Sequence, residues 1–192
     1  MKIFTKAIVL LAVLGLSLGA GASANKDHDT TELFRHAGES GSFFAKSYGY
    51  AVFPTIGKAG LGIGGAHGDG HVYAHGVRIG RISMTQLSVG FQAGGEAYSQ
   101  IIFFENKAAL DSFTAGQFEF SAGASAIAIT TSASASAGTA GADAAASTDK
   151  KDATTAGEYH EGMAVFTIAK GGLMYSVSLA GQKYHYKAGS TN

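Results

Sequence analysis

The chain has 192 residues, with 14 basic and 14 acidic side chains, no Cys, no Trp, one Pro and 28 Gly. That length suits one domain, and 46% apolar against 15% charged residues supplies a core and excludes a disordered tail. Zero formal charge excludes a broadly basic nucleic-acid binder, and the lack of Cys excludes disulfides, thiolate metal sites and a cysteine-linked lipid anchor.

Residues 1–24 read as an export signal: Lys2 and Lys6, an apolar run from Ala7 to Leu18, then Ala22-Ser23-Ala24 as a small-x-small cleavage site before Asn25. The run is shorter than the roughly 18 to 20 apolar residues of a spanning helix. Cleavage would leave a domain of residues 25–192 with 12 basic and 14 acidic groups, net −2, in a periplasmic or secreted protein. Any attraction to an anionic surface must then be local.

Asp29 and Glu32 form a capping-box-like pair ahead of Leu33, Phe34, Ala37, Phe44 and Tyr48, which predicts helix interrupted near Gly38 and Gly41. From Tyr50 the period changes, and 12 glycines fall between Gly57 and Gly95. Glycine at that density predicts closely spaced strands in a sharply curled sheet. His67-Gly68-Asp69-Gly70-His71 is expected as a hairpin turn, with strands at Val72–Val77 and Arg81–Gly90. Ile101–Phe104 is a buried strand, Asn106 caps a short helix carrying Leu110 and Phe113, and Gly116 stops it. Ser132–Gly157 contains only Ala, Ser, Gly, Thr, Asp and Lys, a low-complexity excursion with nothing to anchor a core. Met163–Ile168 and Leu173–Leu179 form a closing hairpin, followed by Tyr184 and Tyr186.

An internal echo joins the two ends of this pattern. Ala51-Val52-Phe53 precedes Lys58-Ala59-Gly60-Leu61, and Ala164-Val165-Phe166 precedes Lys170-Gly171-Gly172-Leu173. The reading places Lys58 and Lys170 at glycine turns of two related hairpins. The fold class that results is mainly β (α+β), a single compact antiparallel, curled or barrel-like domain with short N-terminal and mid-chain helices packed on it.

Chemistry is thinly represented. Gly60-Leu61-Gly62-Ile63-Gly64-Gly65 matches a dinucleotide fingerprint in letters, but a strand follows where the phosphate-binding helix is needed. His67, His71 and His75 are a candidate metal set across the expected turn, weighed against ordinary surface histidines. No serine has a nucleophile elbow and no carboxylates pair, so no enzyme is expected, and no cofactor.

Ser47-Tyr48-Gly49-Tyr50-Ala51-Val52-Phe53-Pro54, with Gly57-Lys58-Ala59-Gly60-Leu61 and Gly64-Gly65-Ala66, resembles the SYLF-domain family of lipid-binding proteins. Gly90-Phe91-Gln92-Ala93-Gly94-Gly95-Glu96-Ala97-Tyr98-Ser99, Ile101–Phe104, Ala169–Met174 and Gly181-Gln182-Lys183 continue the resemblance in order, over about residues 32 to 187. It implies a mostly antiparallel β domain with packed helices that binds anionic phospholipid at a membrane surface, phosphoinositides in eukaryotic members. Actin binding by some eukaryotic relatives is not expected of an exported chain.

On this reading Lys58, Lys170, Arg78 and Arg81 meet the headgroup, and Gly60, Gly171 and Gly172 offer backbone N–H groups in nest-like turns. The N-terminal helix is a candidate membrane face through Leu33, Phe34, Arg35, Phe44 and Lys46, against the alternative that its apolar side packs on the sheet. The competing class is a cell-envelope scaffold that binds another protein and no specific lipid.

Overall fold

The computed structural model describes residues 17–120, 127–129, 159–170 and 179–189. The low-complexity stretch 132–157, the strand expected from Leu173 and most of the export signal lie outside these residues. Helices α1 (Ser17–Arg35) and α2 (Ser40–Lys46) lead into two long strands, β1 (Gly49–Ala74) and β2 (Val77–Phe104). Helix α3 (Lys107–Thr114) and strands β3 (Gln117–Glu119), β4 (Ile127–Ile129), β5 (Met163–Lys170) and β6 (Gln182–Ala188) follow. One mainly antiparallel sheet contains every described strand, and only β4 runs parallel to its neighbour β5.

Strand β2 is the spine. Its first half pairs with the second half of β1 and, over Gly80–Gln86, with β6; its second half pairs with the first half of β1 and, over Ala97–Phe104, with β5. The β1–β2 hairpin turns at His75 and Gly76, both at positive φ, 49° and 79°. The turn expected at His67–His71 is therefore corrected, because Gly68 and Gly70 serve a different purpose. A Cβ on Gly68 would stand 2.6 Å from Ile56 Cγ1 and 2.8 Å from the Thr55 carbonyl oxygen, and one on Gly70 would strike the Val52 carbonyl oxygen and the Phe53 ring. The two halves of β1 thus lie against each other, backbone on backbone, after the strand doubles back near Gly60, whose absent Cβ leaves room for Gly64 Cα. Glycine here permits close approach. The dinucleotide-like letters of residues 60–65 are this bend.

Folding the sheet on itself encloses an inner core of Phe53, Ile56, Val72, Ile82, Met84, Tyr98, Ile102, Phe104 and Tyr184. Helix α3 seals one end: Leu110 and Phe113 enter that core, with Phe113 5.0 Å from Tyr184 between ring centroids. As expected, Asn106 caps it, Oδ1 accepting from the Ala109 N–H at 3.0 Å, and Gly116 at φ 139° ends it. Alternate residues Ile101, Phe103, Phe166 and Ile168 face the other way and bury Phe34 of α1, Phe43 of α2 and Ala37 between them. Each fully buried Phe or Ile among them is worth about 1.5–3 kcal/mol.

The helix break falls at Gly38, φ 51°, between α1 and α2. The buried Ser40 hydroxyl lies 2.6 Å from the Phe34 and Ala37 carbonyl oxygens at the end of α1. No cap forms at Asp29, since α1 runs through it; the acid that matters is Asp27, 2% exposed. Its Oδ2 lies 2.5 Å from His71 Nδ1 and accepts a 2.8 Å hydrogen bond from the Tyr73 hydroxyl. Burial, then the Asp27 carboxylate, hold that phenol well above its ordinary pKa. A buried charge persists only when so paired.

Gly70→Val should lower stability by about 2–3 kcal/mol in urea unfolding, because the obstructing Val52 oxygen is backbone and cannot yield. Gly57→Ala, with nothing near the added methyl, should stay within about 0.5 kcal/mol of the parent.

Candidate functional site

Opposite the end sealed by α3, the folded sheet opens into a cleft of about 1050 Å3. Half of its lining is small residues, Gly57, Ala59, Gly65, Ala66, Gly95, Ala97, Ala169 and Gly181, so backbone lies near the surface. Lys58, Lys170, Lys183 and His67 bring positive or protonatable groups, Glu96 one acid, and Thr85, Gln86 and Leu87 complete the lining.

Pairing across β2 explains why two of these lysines meet. The echoed segments sit on either side of the spine: Val52 and Phe166 both partner Ile101, and Ala51 and Val165 both partner Ile102. Carried on in register, Lys58 falls opposite Glu96 and Lys170 opposite Ala97. Two strand spacings, about 9–10 Å, separate their backbones. Lys58 does not occupy the hairpin tip expected of it, since it lies within β1 and the glycines after it bend a continuing strand; Lys170 ends β5, and the turn expected after it lies outside the described residues. Lys170 Nζ donates to Thr55 Oγ1 at 2.8 Å, which steadies it across the spine.

Arg78 and Arg81 do not join this cleft. Arg78 pairs with Tyr73 near the hairpin turn, and Arg81 stands between His71 and Lys187. Arg81 belongs instead to an exposed face on which Lys183, His185 and Lys187 alternate outward along β6. Gly60 lies at the bend outside the lining, and Gly171 and Gly172 are outside the described residues. Lys183 stands in the Gly181-Gln182-Lys183 block but carries no site signal in the sequence; the register Thr85↔Lys183 brings it to the cleft.

The candidate metal set is not brought together. His71 is buried on Asp27, His67 lies 3.8 Å from Asp69, and the His75 ring sits 4.3 Å from Tyr48. Among the described residues no three His, Cys, Asp or Glu side chains are grouped for a metal ion. The candidate membrane helix is docked: Phe34 is fully buried, and Phe44 is half-buried with Arg35 4.2 Å above its ring and Phe103 4.9 Å away. Only Leu33 of its apolar set, 41% exposed, faces outward. No described helix is long and apolar enough to cross a membrane.

A buried polar network in the inner core ties the two halves of the sheet together. Tyr184 donates to Gln182 Oε1 at 2.5 Å and accepts from Gln100 Nε2 at 2.7 Å, while Gln182 Nε2 lies 3.4 Å from the Tyr98 hydroxyl. Gln86, in the cleft lining, donates to the Ala180 carbonyl at 2.9 Å and holds the segment that precedes β6. Burial pushes the Tyr98 and Tyr184 phenols well above their ordinary pKa, outweighing the hydrogen bonds that lower them.

A family model described as Ysc84, Las17-binding protein actin regulator, matches residues 85–190, a span that holds Lys170 and Lys183. The chain is also 28% identical over 163 residues to beta cell expansion factor A of Aeromonas veronii, covering 79% of this chain and 51% of that protein. The chain therefore spans about half the length of the curated relative it matches.

The two phenols give the fold an alkaline limit. In the unfolded chain they ionise near pH 10, in the folded protein they keep their protons, so the stability they contribute is present below about pH 10 and lost above it. Unfolding free energies from urea titrations taken from pH 8 upward should hold steady and then fall, by about 1.4 kcal/mol per pH unit for each tyrosine. Tyr184→Phe should remove one tyrosine's share of that fall while costing about 1–3 kcal/mol at neutral pH through the hydrogen bonds lost to Gln100 and Gln182.

Proposed function

The chain belongs to the Ysc84, or SYLF, family, and from that membership we propose that it is an exported, non-enzymatic module that binds the anionic headgroups of phospholipids at a membrane surface. The observation that carries the reading is the convergence of Lys58, Lys170 and Lys183 on one glycine-walled cleft. A phosphate needs cations and N–H donors that approach without side chains in the way, and small residues beside lysines meet both needs. The family is one of non-catalytic binding proteins, which accords with a site built of cations and backbone.

Affinity on this reading is modest and local. Each basic residue near an anionic surface adds about 1 kcal/mol, screened within roughly 10 Å at 0.1 M salt. Glu96, opposite Lys58, subtracts from it. Arg81, Lys187 and His185 lie on the exposed face that also carries Lys183 and extend the positive field beyond the cleft. Delivery falls to residues 1–24 as the export signal, which places the protein in the periplasm or outside the cell. The family description also names binding to a protein, Las17, and supports a second reading in which this chain is an envelope scaffold holding a protein partner.

Co-sedimentation with phosphatidylglycerol-containing and with pure phosphatidylcholine vesicles tests the first reading. The protein should pellet with the anionic vesicles alone and be released by salt. Lys58→Ala with Lys170→Ala should weaken binding about thirtyfold while the unfolding midpoint stays in place. Equal binding by that variant would remove the cleft from the site, and no binding by the folded parent would favour the protein-scaffold reading.

A further inference from the structure

Among the described residues, strand β2 has pairing partners beyond β1 at both ends but not in its middle. Strand β6 covers Gly80–Gln86 and β5 covers Ala97–Phe104, so among the described residues 87–96 pair with β1 alone. Among the described residues the bend of the sheet is therefore a two-stranded ribbon standing beyond the layered core. Such a ribbon is marginal in water unless one face is covered.

Its composition is unlike the rest of the chain. From Ala59 to Ala66 on β1 and from Gln86 to Gly95 on β2 there is no charged residue. Ile63 and Leu87 on this ribbon are 73% and 84% exposed, the two most exposed large apolar side chains described. Gly65 partners Leu87 and Ile63 partners Val89, so they stand two pairs apart on adjacent strands. Directly behind this uncharged end come the cleft lysines Lys58, Lys170 and Lys183.

We propose that the bend of the β1–β2 ribbon, through Ile63 and Leu87, inserts into the headgroup–acyl boundary of an anionic bilayer while the lysines behind it hold the phosphates. An apolar tip followed by a positive collar matches the order of layers met on entering such a membrane, hydrocarbon deepest and phosphate outside it. A second copy of the chain is a poor occupant, since a symmetric contact would set one lysine collar against another. The inference rests on the lipid-binding reading and assigns the element that enters the membrane: the sheet bend, not helix α1.

The chain has no Trp, so Leu87→Trp and Leu33→Trp each create a single fluorescent reporter, one on the ribbon and one on α1. The full chain carrying either is mixed with vesicles of phosphatidylglycerol and phosphatidylcholine, with and without bromine on the acyl chains. The expected result is a blue shift and bromine quenching for Leu87→Trp and no change for Leu33→Trp. Ile63→Glu with Leu87→Glu should weaken sedimentation with these vesicles by at least about tenfold at an unchanged unfolding midpoint. A response from Leu33→Trp alone would assign insertion to the helix, and sedimentation with neither reporter responding would mean headgroup adsorption only; each overturns the insertion and leaves lipid binding intact. A Leu87→Trp shift that follows protein concentration without vesicles would make the tip a contact between copies and overturn the proposal. Absence of sedimentation for the parent would remove the lipid reading itself and the insertion with it.

Discussion

The closeness of one strand to itself governs this molecule. Where Gly68 meets Thr55 and Ile56, and Gly70 meets Val52 and Phe53, two stretches of β1 touch with no side chain between them. A sheet normally packs on another at about 10 Å, with side chains filling the gap. Here that gap closes at one margin and widens away from it, leaving room for Tyr98, Tyr184 and Phe53 in the interior. Curvature, core volume and the cleft all follow from that wedge.

The two ends of the wedge are finished differently. Helix α3 brings Leu110 and Phe113 to one end, where Phe104, Phe113, Phe118 and Tyr184 pack ring against ring. At the other end half of the lining residues are glycine or alanine, too small to meet in the middle, and lysines stand where a core would need apolar side chains. Desolvated ammonium groups are costly, so that end stays open to water or to an anion. The Gln100–Tyr184–Gln182 network holds the two layers at fixed spacing, and so fixes the width of the cleft.

Much of the architecture was legible in residue order. The shift from helical spacing to glycine-rich alternation at Tyr50, the cap at Asn106 and the stop at Gly116 are local signals, and local chemistry decides them. The hairpin turn was misplaced because Gly-Asp-Gly has the letters of a turn, whereas the demand on Gly68 and Gly70 comes from residues some fifteen positions earlier. No window along the chain contains both partners. In the same way the echo around Lys58 and Lys170 announced that the two lysines were related, but only their shared pairing with β2 shows how. Asp27 looked like one of several scattered acids, and its burial against His71 and Tyr73 depends on a helix meeting a strand 44 residues away, Asp27 to His71.

The spine arrangement also sets an order of assembly. β1 and β2 are adjacent in sequence and can zip from the His75–Gly76 turn, but the edges of β2 are completed by β5 and β6, whose residues follow the whole low-complexity stretch. Until those strands arrive, β2 presents Ile101–Phe104 and Ile82–Met84 with open hydrogen-bonding edges. Closing loops of that length is slow compared with forming a hairpin. A chain emerging N-terminus first therefore passes through a half-sheet that is open along its centre, and the Ala/Ser/Gly/Thr stretch made in that interval brings no apolar bulk to compete for that edge.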